Sequence, residues 1–275
     1  MTSSSPANPL IKGYFILVGV PLTREDVRIP SGGEELAAYL YRPRARSGDA
    51  GPVPCVVMAH GFSATRDDAL PGYAEAFADA GFAVVLFDYR HFGRSSGQPR
   101  QLLDIGRQQD DYRAVIDWAR HAEGIDPDRI ALWGSSFSGG HVLAVAAGDP
   151  RIAAVVSQAP FTDSVAAIRA MPVRNVLRAG GAAVIDQFGS LLGRPPRYMP
   201  AVGEPGAFAA MTAPEAMPGF DAIVGPESLW RNEVAARVVL HLSLYRPGRL
   251  AARIGVPVLF CVCDADATTP PAPSQ

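Results

Sequence analysis

Short, continuously apolar runs alternate with segments of helical periodicity along most of this 275-residue chain. Residues 53–59, 83–87 and 129–133 have the pattern of strands that are buried on both faces, and residues 152–159 and 256–263 repeat it. Strands that alternate with helices form parallel sheets covered by helices. We therefore predict an α/β fold with a mostly parallel central sheet and helices on both faces.

The chain divides into four segments at the points where this alternation begins, stops and resumes. Residues 1–22 are interpreted as an N-terminal tail or edge segment, and residues 23–160 as the first part of the core, which opens with a hairpin turning at Ser31-Gly32-Gly33. Residues 161–250 are rich in Pro, Gly, Ala and Arg and are too long for an ordinary connection, so they predict an inserted helical lid. Residues 251–275 continue the core and leave it incomplete.

Composition and charge limit the partners that the chain can have. The net charge is −2 and the arginines are scattered, which argues against a nucleic-acid groove. No run approaches the roughly 20 apolar residues of a membrane span. Cys55, Cys261 and Cys263 all lie in apolar runs, which predicts reduced, buried thiols. These features together favour a soluble cytoplasmic protein with no nucleic-acid or membrane partner; they leave the oligomeric state open.

The strongest chemical signal is the sequence Trp133-Gly134-Ser135-Ser136-Phe137-Ser138, which lies between a predicted buried strand and an apolar helix. This context is typical of a nucleophile elbow, in which a tight turn exposes a serine hydroxyl above the sheet. Small residues must flank such a serine because strand and helix approach closely there. Gly134 and Ser138 meet that need around Ser136, so we expect Ser136, and not Ser135 or Ser138, to be the nucleophile.

A second signal is His60-Gly61-Phe62, which directly follows the strand over residues 53–59. A loop in this position donates one backbone N–H to the oxyanion that develops during acyl transfer, and the residue after the nucleophile donates the other. We therefore predict Phe62 and Phe137 as oxyanion donors through their backbone. The ring of His60 is expected to brace the loop by hydrogen bonding.

Acidic residues follow the late apolar run over residues 256–263. The acid of a catalytic triad belongs at the end of such a strand, where it orients a histidine and stabilises the imidazolium. Asp266, four residues before Pro270, is the preferred candidate, and Asp264 is the alternative.

The histidine of such a triad follows the acid in chain order, but the nine residues after Asp266 contain none. We interpret the sequence as truncated at its C-terminus and expect little or no esterase activity from it. A rewired triad that uses His60, His91 or His241 is one alternative, and a non-catalytic descendant is another.

These motifs together resemble the α/β-hydrolase superfamily. Within it, the elbow written G-S-S-F-S-G-G is similar to those of the dienelactone-hydrolase and Xaa-Pro-dipeptidyl-peptidase-like branch, over about residues 24–160 and 250–272. Relatives in this branch include carboxylesterases, thioesterases or acyltransferases of polyketide pathways, and peptidases. The resemblance implies a nucleophile, an acid and two oxyanion donors at Ser136, Asp266, Phe62 and Phe137.

The expected reaction is hydrolysis of a small carboxylic ester or thioester through an acyl-serine intermediate, which needs no metal or cofactor. An aminopeptidase-like serine peptidase and an inactive binding protein of the same fold are the alternatives. Substrate choice is expected to lie in the predicted lid, whose large apolar side chains either line an acyl pocket or form the lid's own core. The candidates are Tyr198, Phe208 and Trp230 above all, together with Met171, Met211 and Phe220.

Overall fold

A computed structural model describes residues 23–43, 51–269 and 271–274. The predicted tail over residues 1–22 lies outside them. Nine strands are described: β1 Thr23–Ser31, β2 Glu34–Arg42, β3 Val53–Ala59, β4 Ala83–Phe87, β5 Ile125–Ser135, β6 Ile152–Gln158, β7 Tyr198–Met199, β8 Val234–Ala235 and β9 Val258–Cys261. The α-helices are α1 Leu70–Asp79, α2 Ile105–His121, α3 Phe137–Ala146, α4 Ser164–Ala170, α5 Val173–Leu191, α6 Ala216–Ile223 and α7 Val238–Leu242, with 3₁₀ turns at Pro247–Arg253 and Ala272–Ser274.

Seven of these strands form one sheet in the order β1-β2-β4-β3-β5-β6-β9. Strand β2 pairs antiparallel with β1 and with β4, and all other pairs in this sheet are parallel. The β1–β2 turn lies at Gly32 and Gly33, whose φ angles of 54° and 87° suit glycine. The predicted mostly parallel sheet and its opening hairpin are therefore confirmed.

Helices cover both faces of the central strands. Successive side chains of a strand point in opposite directions, so neighbouring residues of one strand pack against helices on different faces. On β3, Val57 belongs to a core cluster that includes residues of α2 and α3, whereas Val56 and Met58 pack with α1 on the other face. Full burial of β3 and β4 explains why these strands are apolar along their whole length instead of alternating.

The turn after β4 is held by buried charges. Asp88 accepts hydrogen bonds from the backbone N–H groups of Arg66 and Arg94 at 2.8 and 2.9 Å. Arg90 forms a buried ion pair with Asp111 of α2 at 2.6 Å. These contacts join the turn to α2 and to the loop that follows β3.

Residues 161–250 contain α4, α5, α6, α7 and the two-stranded sheet of β7 and β8. Asp186 of α5 is buried and accepts hydrogen bonds from the Arg237 side chain at 2.8 and 3.0 Å, which fixes α5 to the start of α7. Most of the regular structure described in this segment is helical. Its interpretation as an inserted lid, and the segment boundaries, stay predictions.

The expectation that all three cysteines are buried is wrong. Cys55 in β3 is buried, but Cys261 and Cys263 are exposed. Among the described strands β9 pairs only with β6, so its side chains are less covered than those of β3. The cytoplasmic location, which was inferred in part from buried cysteines, stays a prediction. None of the described helices is long and apolar enough to cross a membrane.

Candidate active site

Ser136 lies at the sharp turn between β5 and α3. Its backbone has φ 55° and ψ −116°, a conformation that costs free energy for a residue with a Cβ atom. Two hydrogen bonds hold it there: its N–H donates to Gln158 O at 2.8 Å, and its C=O accepts from Phe161 N at 2.8 Å. The residue is half-buried, and within the described residues its Oγ has no hydrogen-bond partner.

The close approach of strand and helix at this turn requires glycine at position 134. A Cβ atom there would overlap the backbone carbonyl of Ser138. Ser138 itself is fully buried, and its Oγ lies 3.0 Å from Tyr89 Oη and 2.7 Å from Tyr112 Oη. Tyr112 Oη in turn donates to Trp133 O at 2.9 Å. The sequence pattern indicates only that residue 138 must be small. In the structure the Ser138 hydroxyl also forms hydrogen bonds with two buried tyrosines under the elbow.

The two predicted oxyanion donors, Phe62 and Phe137, line the same cavity as Ser136. The Phe62 and Phe137 rings are both buried and pack edge to face with centroids 5.6 Å apart. In the part of the chain that the structure describes, neither backbone N–H donates a hydrogen bond. Gly61 brings the first loop against the nucleophile, since a Cβ there would lie 3.2 Å from Ser136 Cβ. The role of these two backbone N–H groups as oxyanion donors stays a prediction.

Asp266 is held in a tight turn beyond β9. Its Oδ1 accepts hydrogen bonds from the backbone N–H groups of Thr268 and Thr269 at 2.9 and 2.7 Å. Thr269 Oγ1 lies 2.6 Å from Asp266 Oδ2 and 3.1 Å from Ala159 O, so the turn is attached to the end of β6. Asp264 is exposed and has no hydrogen-bond partner among the described residues. The choice of Asp266 over Asp264 as the acid stays a prediction.

All five histidines lie in the described residues, and none has a ring nitrogen hydrogen-bonded to Ser136 or Asp266. His60 braces its loop: Nδ1 lies 2.9 Å from Gly61 O, and Nε2 accepts from Tyr89 N at 3.4 Å. Burial lowers the pKa of His60 to about 4, so the ring is neutral near pH 7. His91 is buried in the turn after β4, and His241 is exposed at the end of α7.

His141 of α3 is buried under the elbow, where Nδ1 accepts from Tyr245 Oη at 2.7 Å and Nε2 donates to Gln108 Oε1 at 3.0 Å. Burial lowers its pKa to about 3, well below the ordinary value of 6.5. In the unfolded chain the His141 ring therefore binds a proton as the pH falls below about 6.5, whereas in the folded protein the ring stays neutral until about pH 3. Folded-state stability that is present above pH 6.5 is lost as the pH falls through this window.

We expect this loss to be absent in His141→Gln, since glutamine does not titrate. Between pH 7.5 and pH 5 the wild type should lose about 2 kcal/mol more free energy of unfolding than the variant does. Urea unfolding of both proteins at the two pH values measures the difference, and the other titrating groups cancel because both proteins share them. Parallel pH dependences would show that the buried ring is not the cause.

Ser136 opens on a cavity of about 370 Å³. The cavity lies between the elbow, α4, the segment before α6 and the Asp266 turn. Its lining is mostly apolar and includes Phe62, Ser136, Phe137, Phe161, Ile168, Met171, Met211, Leu242, Thr268 and Thr269. A second cavity of about 120 Å³ also reaches Ser136, and its lining includes His60, Phe62, Ala64, Asp68, Leu70, Ser136, Met211, Phe220 and Ile223.

Three of the predicted pocket residues lie outside the lining of both cavities. Tyr198 donates a hydrogen bond to Arg100 O at 2.9 Å, and Phe208 packs under the Arg178 guanidinium. Trp230 packs on Phe220, with ring centroids 5.1 Å apart, and so lies behind the wall of the smaller cavity. Of the wider set, Met171 lines the large cavity, Phe220 the small one and Met211 both.

The sheet order and the turn at Ser136 define an α/β-hydrolase enzyme. Its structure is similar to the crystal structure of the α/β hydrolase GrgF from Penicillium sp. sh18, with a TM-score of 0.76 and 25% identity over 92% of this chain and 84% of that one. The sequence profile of the X-Pro dipeptidyl-peptidase (S15) family matches residues 32–194, and the chain belongs to that family. The resemblance inferred from the elbow is thereby confirmed for the superfamily and for this branch.

The sequence is also similar to those of two proteins from other organisms. The chain is 47% identical to the quorum-quenching protein AidA of Acinetobacter baumannii over 92% of this chain and 82% of that protein. It is 32% identical to the thiohydrolase aneE of Aspergillus aculeatus over 77% of this chain and 64% of that protein.

Proposed function

We propose that this protein is a serine hydrolase that cleaves small carboxylic esters or thioesters through an acyl-Ser136 intermediate. One observation carries the proposal: the unpaired Ser136 hydroxyl at a strained strand–helix turn faces an apolar cavity of about 370 Å³. That volume lies within the roughly 300–1,000 Å³ typical of ligand pockets. A thiohydrolase among the relatives supports the choice of thioesters beside oxygen esters.

In the proposed reaction Ser136 Oγ attacks the substrate carbonyl carbon and forms a tetrahedral intermediate. The backbone N–H groups of Phe62 and Phe137 donate hydrogen bonds to its oxyanion, which typically contributes a factor of about 10²–10³ for each donor. Collapse breaks the bond from carbon to the alcohol or thiol, which leaves with a proton. Water then attacks the acyl-serine, releases the carboxylic acid and restores the hydroxyl.

The proton of Ser136 needs a base, and Asp266 is proposed to orient that base. His60 is an unsuitable base because both of its ring nitrogens are engaged, Nδ1 with Gly61 O and Nε2 with the backbone N–H of Tyr89 in the turn after β4. A protein that consists of these 275 residues is therefore expected to hydrolyse esters slowly, since an unassisted serine is a weak nucleophile near pH 7.

The test is covalent labelling of Ser136 with an alkyl fluorophosphonate, followed by peptide mass spectrometry, with and without imidazole. The probe adds to a serine Oγ with loss of fluoride, and diffusible imidazole can act as a general base. We expect labelling at Ser136 alone, accelerated roughly tenfold or more by imidazole, which is a fraction of the 10²–10⁴ that a positioned base contributes.

The matched controls are Ser136→Ala, which should take no label, and Ser135→Ala, which should keep it. Failure of Ser136 to react in either condition would contradict the proposal and favour an inactive binding protein. Labelling at Ser135 would show that the nucleophile is misassigned.

A further inference from the structure

Two cavities of unequal size meet at the proposed nucleophile. We propose that they are two subsites for one substrate and that Met211 sets the size limit of the smaller subsite. The inference rests on the proposed function, because a carbonyl at Ser136 places one part of an ester or thioester in each cavity. The substrate class is then an ester or thioester with one long apolar part and one short alkyl part.

Among the residues that the structure describes, three line both cavities: Phe62, Ser136 and Met211. Ser136 is the proposed nucleophile, and Phe62 is fixed by its packing against Phe137 and by the position of its backbone N–H. Met211 has no part in the proposed chemistry. The Met211 side chain, which lies between the two cavities, can therefore be substituted without altering the reacting groups.

The backbone holds Met211 in place. Its N–H donates to Ala201 O at 2.9 Å, and its C=O accepts from Gly203 N at 2.9 Å. These bonds form a short parallel bridge to Val202, which is buried. The thioether side chain thus extends from a fixed backbone, although its own three torsions leave it adaptable.

The small cavity differs from the large one in capacity more than in chemistry. At about 120 Å³ it is well below the roughly 300 Å³ floor of ordinary ligand pockets, so it suits a group of a few carbon atoms. Its lining is mainly apolar, with Ala64, Leu70 and Ile223 on its walls, and it also includes Asp68, whose buried carboxyl group accepts hydrogen bonds from Thr65. His60 adds a ring that burial keeps neutral near pH 7. A short alkyl group therefore matches this cavity.

The test compares two fluorophosphonates that share an octyl group on phosphorus and carry either an ethoxy or a hexyloxy substituent. Rates of Ser136 labelling are measured in imidazole buffer. We expect the wild type to react roughly tenfold faster with the ethoxy probe, since each misfitting methylene group carries a sizeable penalty. In Met211→Ala the two rates should agree within about threefold, because the small subsite becomes continuous with the large one.

Two controls separate size from general damage. Met217→Ala shortens a half-buried methionine of α6 that lines neither cavity, and it should keep the wild-type ratio. Met211→Leu conserves most of the volume and should also keep it. Equal rates for the two probes in the wild type, or an unchanged ratio in Met211→Ala, would overturn the inference.

A second measurement does not depend on reactivity. Binding of ethyl octyl ketone and hexyl octyl ketone to Ser136→Ala, with and without Met211→Ala, is measured by calorimetry. Preference for the ethyl ketone that Met211→Ala removes would support the inference even if no probe labels Ser136, in which case only the proposed function fails. Equal binding of both ketones to Ser136→Ala would overturn the inference and leave the labelling result intact.

Discussion

Asp111→Asn is expected to lower the free energy of unfolding by about 3–5 kcal/mol, the range for breaking a buried ion pair. The Asp111 side chain is fully buried and accepts hydrogen bonds from Arg90 Nε at 2.8 Å, from Arg90 N at 3.0 Å and from Ser31 Oγ at 2.8 Å. Asparagine has one acceptor oxygen in place of two and no charge. The buried guanidinium of Arg90 then lacks a counterion. Urea unfolding at pH 7.5 measures the loss.

Asp110→Asn is the matched control, since Asp110 is adjacent in sequence and also paired with an arginine. That pair is exposed: the side chains of Asp110 and Arg113 are 63% and 52% accessible. Exposed pairs contribute about 0–1 kcal/mol, so this variant should unfold almost like the wild type. Equal decreases in the free energy of unfolding in the two variants would show that burial of the ion pair does not determine its contribution to stability.

Gly134→Ala is expected to cost about 3 kcal/mol or more, at the upper end of the range for overpacking a core. The new Cβ atom would overlap the backbone carbonyl of Ser138, and backbone atoms of a helix cannot move aside as a flexible side chain can. Relief of the overlap must push α3 away from β5 and displace Ser136. Both the stability in urea and the rate of fluorophosphonate labelling should fall.

The control for this substitution is Gly72→Ala in α1, where a Cβ atom meets nothing within 4 Å. Alanine is the better helix former by about 1 kcal/mol, so Gly72→Ala should be neutral or slightly stabilising. If Gly134→Ala retained wild-type stability and labelling, the tight approach of strand and helix would not be what requires glycine at the elbow.

Sequence alone predicted the elements whose signal is local. The buried runs of β3 and β4 were placed to within a residue, because full burial makes a strand apolar along its whole length. Strand β5 was predicted over residues 129–133 but extends from Ile125 to Ser135. The extra length comes from pairing of Ile125 with Val53, which periodicity within one segment does not report.

The lining of the cavities could not be derived in the same way. Composition named large apolar side chains in residues 161–250, but Tyr198 and Phe208 are turned to other contacts by the packing of helices that are distant in sequence. Ile168 and Leu242, which do line the large cavity, carry no distinguishing local signal. Ser138 was singled out by its small size alone, and the hydrogen bonds of its hydroxyl to two buried tyrosines come from residues distant in sequence.

The end of β6 has a consequence for how the proposed site withstands thermal motion. Main-chain atoms of residues 158–161 bind both halves of the site: Gln158 O and Phe161 N hold Ser136, and Ala159 O holds Thr269 of the acid turn. Nucleophile and acid are thus mounted on one short frame. When residues 158–161 move as a unit, Ser136 and the Asp266 turn move with them, so the distance between the two proposed catalytic groups changes little. Alignment of the two groups then depends on the rigidity of four residues.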